Sequence, residues 1–178
     1  MRSIGRLFYE PIWVFTRGDL PIESLRDLGG RKILVGGAQS ATRRIAGQLL
    51  KANGVDATNA TLVEAQLSAK AEQLVSGEVD AGIVILPADS DRIQELLRVP
   101  DIRLMDFSPE AEAYTNRFPA LAKVVLHRGA VEFEPQLPSA DITVTPGIET
   151  IGPISFSVTA DPAATTVDPA AGVIPATT

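Results

Sequence analysis

The chain has no cysteine and a single histidine among its 178 residues. Disulfides, thiolate chemistry and zinc–thiolate sites are therefore excluded, and His127 alone cannot form a two-histidine metal site. The sequence also lacks a phosphate-binding loop and a dinucleotide fingerprint, because Gly36 and Gly37 are followed by neither the lysine nor the third glycine that these motifs need. Asp80 and Asp141 flank predicted strands as turn residues. We therefore expect no metal, no cofactor and no enzyme activity.

Basic side chains are in the minority, since 16 lysines and arginines stand against 22 acidic residues. A net charge of −6 excludes the concentrated basic face that nucleic acid requires. No run of about 18 apolar residues occurs, so a membrane span is not predicted. The first residues are not a signal peptide, because Glu10 and Pro11 interrupt the apolar run. We expect either a cytoplasmic protein or a chain without its natural beginning.

Apolar runs alternate with amphipathic stretches between residues 20 and 107, which predicts a parallel sheet with helices on both faces. Residues 61–64 fit either a short strand or the entry to a helix. The next helix is expected to turn Leu74 and Val75 inward. The other predicted strands are residues 13–16, 32–35, 80–86 and 102–107. One or two helical turns are predicted at residues 22–28, and the other predicted helices are residues 41–52 and one capped by Asp89 or Ser90.

The pattern of the sequence changes after residue 107. A fourth helix is predicted to begin at Ser108, with Pro109 at its first position, and residues 121–127 form a further extended segment. Prolines then interrupt two short strand-like runs, residues 142–144 and 154–158. Residues 160–178 lack aromatic residues and periodicity, so we expect a disordered tail.

Residues 32–44 combine a short apolar run, two glycines and a helix start rich in hydroxyl groups. Free backbone N–H groups and the positive end of the helix dipole meet at such a turn, where glycines let a ligand approach closely. The pattern fits both an ordinary strand-to-helix turn and an anion site.

Several stretches in order resemble the TAXI-type solute receptors of TRAP transporters, which have the type II periplasmic-binding-protein fold. They cover about residues 4–145. Residues 39–43, Gln-Ser-Ala-Thr-Arg, are similar to the family's Ser-Gly-Thr-Arg helix start, with Ala41 in place of glycine. The other similar stretches are residues 9–17, 28–36, 74–81 and 113–119.

The resemblance implies an incomplete two-lobed α/β architecture, because the glycine-rich start of the first lobe is missing. Residues 1–19 would be a crossing segment with a remnant of the first lobe, and residues 20–107 the second lobe. Residues 108–159 would return to a partial first lobe, before the tail at residues 160–178. A fragment of this kind is expected to expose apolar surface at Phe8, Trp13 and Phe15, and to self-associate through it.

The resemblance also implies a cleft that holds a small carboxylate. Ser40 could equally be a simple helix cap, and Tyr9 could be packed at the hinge. Arg43 offers a bidentate partner for a carboxylate, although one of two consecutive arginines normally faces solvent. The implied ligand-binding residues are Gln39, Ser40, Ala41 through its N–H, Thr42, Arg43, Tyr9 and Glu10.

The implied function is that of an extracytoplasmic, periplasmic receptor for an amino acid or a dicarboxylate. Its partners would be the small carboxylate and the membrane permease subunits of a TRAP-type transporter. Two alternatives remain open at this point: a ligand-sensing domain of a regulator with the same fold, and a small α/β enzyme.

Overall fold

The computed structural model describes residues 6–64, 70–118, 121–134 and 136–152. The predicted strand at residues 154–158 and the predicted tail lie outside these ranges. Within them, strands and helices alternate along most of the chain. The strands are β1 (Arg6–Arg17), β2 (Lys32–Val35), β3 (Thr61–Glu64), β4 (Ala81–Ile85), β5 (Ile102–Leu104), β6 (Leu121–Leu126), β7 (Glu132–Phe133), β8 (Gln136–Leu137) and β9 (Ile142–Gly152). The helices are a 3-10 helix (Leu25–Leu28), α1 (Ala41–Ala52), α2 (Lys70–Val75), α3 (Asp91–Arg98) and α4 (Ala111–Arg117).

The main sheet has the strand order β3-β2-β4-β1-β9-β6, with β5 also paired to β1. Strand β2 runs parallel to β3 and β4, whereas β1 runs antiparallel to β4, β5 and β9. The predicted α/β class with a parallel sheet is confirmed, and the parallel part consists of β2, β3 and β4. The strand predicted over residues 102–107 is shorter than expected and lies antiparallel to β1.

Side chains on the central strands alternate between two cores, one on each face of the sheet. Ile12 and Val14 of β1 pack in the first core, and Trp13 and Phe15 in the second. This alternation follows from the period of two along a strand. Helices α1 and α4 cover the first core and α2 and α3 the second, so helices lie on both faces as predicted.

Trp13 and Phe15 contradict the prediction of an exposed apolar surface, because both side chains are fully buried. Their rings stack with centroids 6.4 Å apart, and Trp13 Nε1 donates a hydrogen bond to the Leu86 carbonyl at 2.9 Å. Strands β4 and β5 pair with β1 along this part of its length, which leaves no open edge here. The Phe8 side chain lies outside those that the structure describes.

The fourth helix begins at Ala111, not at Ser108 as predicted. The Ser108 hydroxyl donates to Asp106 Oδ1 at 2.7 Å and lies 2.9 Å from Thr143 Oγ1. Because the nearby Asp106 and the distant Thr143 engage the hydroxyl, Ser108 links this segment to β9 and does not cap a helix. The helix starts only after the turn that follows.

Strand β9 continues through Pro146, which was expected to interrupt it. The register between β1 and β9 shifts between Glu10 and Ile12, and the register between β6 and β9 shifts between Ala122 and Val124. Such irregularities accommodate a proline that cannot donate to the ladder. With these two register shifts, β9 continues as one long strand where the sequence predicted a short one.

Val75 does not face the core as predicted, since 56% of it is exposed while Leu74 beside it is 1% exposed. Helix α2 ends at Val75, and Gly77 follows with φ +76°. A left-handed glycine of this kind closes a helix. Val75, the last residue of α2, therefore lies on the solvent-exposed side of the helix.

Leu34 and Val75 provide a matched test of this core. Replacing Leu34 by Ala should lower the free energy of unfolding by about 2–5 kcal/mol, because the side chain is fully buried in β2. The same kind of truncation at Val75 should change it by no more than about 0.5 kcal/mol. Urea unfolding followed by circular dichroism measures both, and similar losses for the two variants would contradict this packing.

Candidate functional site

Both chain segments predicted to bind the ligand reach the same edge of the sheet. The carboxyl ends of β2, β3 and β4 meet there because the three strands are parallel, and α1 begins shortly after β2. Strand β1 is antiparallel, with Ile12 opposite Ile85 at the end of β4. Tyr9 and Glu10 therefore continue past this edge, where ligands of open α/β sheets bind.

The turn before α1 is shaped by Gly36 and Ser40. Ser40 has extended backbone angles and its Oγ accepts a hydrogen bond from the Arg43 N–H at 3.1 Å, so it is the N-cap residue. A Cβ on Gly36 would lie 2.9 Å from Thr42 Cβ and would overlap Ser40 Oγ. Only glycine therefore fits between the strand and the capped helix start. The alternative that Ser40 acts as a cap is confirmed.

Several hydrogen-bond donors at the start of α1 have no partner among the residues that the structure describes. Within the described part of the chain, neither the Ala41 N–H nor the Thr42 N–H has an acceptor. The Gln39 amide and the Thr42 hydroxyl likewise have no partner among those residues. Gln39 and Ala41 are exposed and Thr42 is half-buried. Two backbone N–H groups at the positive end of a helix dipole can hold an anion.

Arg43 is held by a residue that the sequence did not point to. Its Nε lies 3.4 Å from Glu64 Oε1, and the two side chains are 27% and 46% exposed. Glu64 ends β3 and pairs in register with Val35 at the end of β2. The parallel register of β2 and β3 could have identified it, but that pairing is not visible in the sequence. Arg44, the next residue, is exposed.

Tyr9 and Glu10 reach the site edge without a described contact to α1. Tyr9 pairs with Glu149 and Glu10 with Ile148 in the ladder between β1 and β9. The Tyr9 side chain lies outside those that the structure describes, and Glu10 is half-buried. Their part in ligand binding therefore stays a prediction.

His127 lies far along the chain from this edge and pairs with Asp141. Their Nδ1 and Oδ2 atoms are 3.1 Å apart and both side chains are exposed. The Arg128 backbone N–H, which donates to Asp141 at 2.8 Å, holds the pKa of that carboxyl below its usual value, and His127 adds to the effect. Among the described residues, no group of three His, Cys, Asp or Glu side chains could hold a metal ion. No helix in the same ranges is long and apolar enough to cross a membrane.

Residues 1–161 match the NMT1-like family. The chain belongs to this family. The family match does not distinguish TAXI-type receptors from other members, so the narrower assignment to TAXI-type receptors stays a prediction. A comparison with curated proteins gave no match.

Three solved structures illustrate the structural comparison. The periplasmic aliphatic sulphonate binding protein SsuA from Escherichia coli is 18% identical with a TM-score of 0.47, and the match covers 56% of this chain and 35% of that one. The alkanesulfonate-binding protein SsuA from Xanthomonas axonopodis pv. citri, bound to MOPS, is 16% identical with a TM-score of 0.44, covering 56% and 35%.

The third is the amino acid ABC transporter substrate-binding protein AbpA from Streptococcus pneumoniae, bound to L-arginine. It is 20% identical with a TM-score of 0.42, and the match covers 55% of this chain and 38% of that one. This chain therefore matches little more than a third of the length of these structures. All three are named as binding proteins and none as an enzyme.

Gly36 and Gly37 allow a matched test of the turn. Gly36→Ala should lower the free energy of unfolding by about 1–3 kcal/mol, because its Cβ has no room beside Ser40 and Thr42. Gly37→Ala should stay within about 0.5 kcal/mol of the parent, since nothing lies within 4 Å of its Cβ. Thermal or urea unfolding of both variants measures the difference, and an equal response at the two glycines would contradict the described turn.

Proposed function

We propose that this chain is part of an extracytoplasmic receptor that binds a small carboxylate at the start of α1. The observation that carries the proposal is the pair of N–H groups on Ala41 and Thr42, which have no acceptor among the described residues and lie in the same helix turn as Arg43. A carboxylate has two oxygens that can accept both N–H groups at once. Charge-assisted bonds of this kind are stronger than neutral ones.

The surrounding side chains extend the same chemistry. The Thr42 hydroxyl and the Gln39 amide can donate to a carboxylate that sits on the helix start. Arg43 adds a positive charge, although Glu64 shares it. The dipole of α1 favours the anion further, by about 0.3–1 kcal/mol at an exposed helix end.

The ligand class, the compartment and the transporter type that we propose follow from the resemblance to TAXI-type receptors. In the complete protein, the first lobe would close over the carboxylate, with Tyr9 and Glu10 on the crossing strand near the hinge. Closure of two lobes turns ligand binding into a change of shape that permease subunits can recognise. The ligand would be an amino acid or a dicarboxylate, the compartment the periplasm and the transporter of TRAP type. Self-association through Trp13 and Phe15 is no part of the proposal, because both are buried.

Isothermal titration of the full-length protein tests the site directly. The ligand panel contains amino acids, dicarboxylates and an aliphatic sulfonate. The combined variant Ser40→Ala, Thr42→Ala and Arg43→Ala should bind the best carboxylate about tenfold more weakly or worse, because it removes the cap, a donor and the cation.

The matched control replaces three residues of the same types by Ala, namely Ser139, Thr61 and Arg92. All three are exposed and lie away from the start of α1. This control should keep the parent affinity. Circular dichroism confirms that both combined variants are folded at the temperature of the titration. A carboxylate that binds the two combined variants equally well would contradict the site assignment.

A substitution at Glu64 is expected to change the carboxylate affinity in the opposite direction. Glu64→Gln removes the carboxylate that shares Arg43, so a bound carboxylate should gain affinity by about threefold to tenfold. Glu95→Gln, which removes the partner of the exposed Arg92, should leave the affinity unchanged. Weaker binding by Glu64→Gln would show that Arg43 needs this partner to be positioned, which contradicts the competition described here.

A further inference from the structure

A cavity lies between the 3-10 helix, the last turn of α1 and α4. Its volume is about 230 Å³, which is far more than a single water occupies. The residues that matter for its chemistry are Arg26, Asn53, Glu110, Tyr114 and Arg117. None of them belongs to the proposed carboxylate site at the start of α1.

The inner wall of this cavity is a buried and hydrogen-bonded tyrosine. The Tyr114 hydroxyl donates to Asn53 Oδ1 at 2.9 Å, and Asn53 Nδ2 donates to the Leu49 carbonyl at 2.8 Å. The Tyr114 ring meets Phe107 edge-on with centroids 5.7 Å apart. Burial raises the pKa of the Tyr114 phenol to about 12. The wall is therefore ordered and uncharged at neutral pH.

The rim of the cavity is rich in positive charge. Arg26 and Arg117 are exposed, and neither forms an ion pair with a residue that the structure describes. A neighbouring cavity of about 420 Å³ shares Ala52 and Arg117 with the first and adds Lys51. Glu110 is the carboxylate that lines the first cavity. This cationic rim stands out on a chain whose net charge is −6.

We propose that this cavity is a second binding site, for a small organic anion that carries a carboxylate or a phosphate group. The planar guanidinium groups of Arg26 and Arg117 match the oxygens of either group. Pro109, Ala52 and Ala113 supply apolar wall for a short carbon chain. The single carboxylate of Glu110 opposes the anion but is outnumbered by the two guanidinium groups.

The two sites lie at opposite ends of α1. The helix has 12 residues, so its ends are separated by about 18 Å. A ligand in the cavity beside Tyr114 therefore contacts neither the N–H groups of Ala41 and Thr42 nor Arg43. The two sites can be tested separately in one protein.

The test is a titration of the ¹⁵N-labelled full chain with inorganic phosphate and, separately, with succinate. Saturable shifts are expected for the amide resonances of Asn53, Ala113 and Tyr114. The variant Arg26→Gln with Arg117→Gln should weaken binding by about tenfold or more. Glu110→Gln should strengthen it by about threefold, because it removes the opposing charge.

Arg128→Gln is the matched control, since Arg128 is an exposed arginine outside the cavity; this variant should bind like the parent. The combined Ser40, Thr42 and Arg43 variant should also keep this binding, which separates the second site from the proposed carboxylate site. Shifts by only one of the two probes would identify the preferred anion within the proposed class. Absence of saturable shifts at these amides with both probes would overturn the proposal, as would equal affinity of the double arginine variant and the control.

Discussion

Hydrogen bonding along strand β1 is the constraint on which the rest of the sheet depends. Within the described ranges, β1 pairs with β4 and β5 along one part of its length and with β9 along another. Through β4 it positions β2 and β3, and through β9 it positions β6. Its alternating side chains also divide the interior, because Ile12 and Val14 face one core while Trp13 and Phe15 face the other. A single strand therefore joins two layers of helices into one body.

The candidate site is a consequence of this arrangement. Because β1 is antiparallel to its neighbour β4, its first half continues past the edge at which β2, β3 and β4 end. The helix start after β2 and the crossing strand thus share an edge although about thirty residues separate them. At that edge Gly36 leaves room for the turn and Ser40 caps the helix, while the Ala41 and Thr42 N–H groups have no acceptor among the described residues. The anion binding that we propose for this site would use these donors, with Glu64 lying 3.4 Å from Arg43 and sharing its charge.

The sequence predicts features that depend on neighbouring residues and misses those that depend on distant ones. Helix α1 has its expected bounds because Ser40, a regular apolar stripe and the left-handed Gly54 all act locally. The predicted start of α4 was wrong because Ser108 bonds both to the nearby Asp106 and to Thr143, which is far along the chain. The length of β9 and the role of Glu64 likewise depend on strand pairing. The cavity beside Tyr114 was missed because three separate segments form it.

The central claim is that a carboxylate binds to the free N–H groups at the start of α1, and amide NMR of the full-length protein tests it most directly. Addition of the bound carboxylate should shift the Ala41 and Thr42 amide protons downfield, because each gains a charge-assisted hydrogen bond. The Arg43 amide, which already donates to Ser40 Oγ, should move less. Saturable binding that leaves the Ala41 and Thr42 amides unchanged would contradict the account.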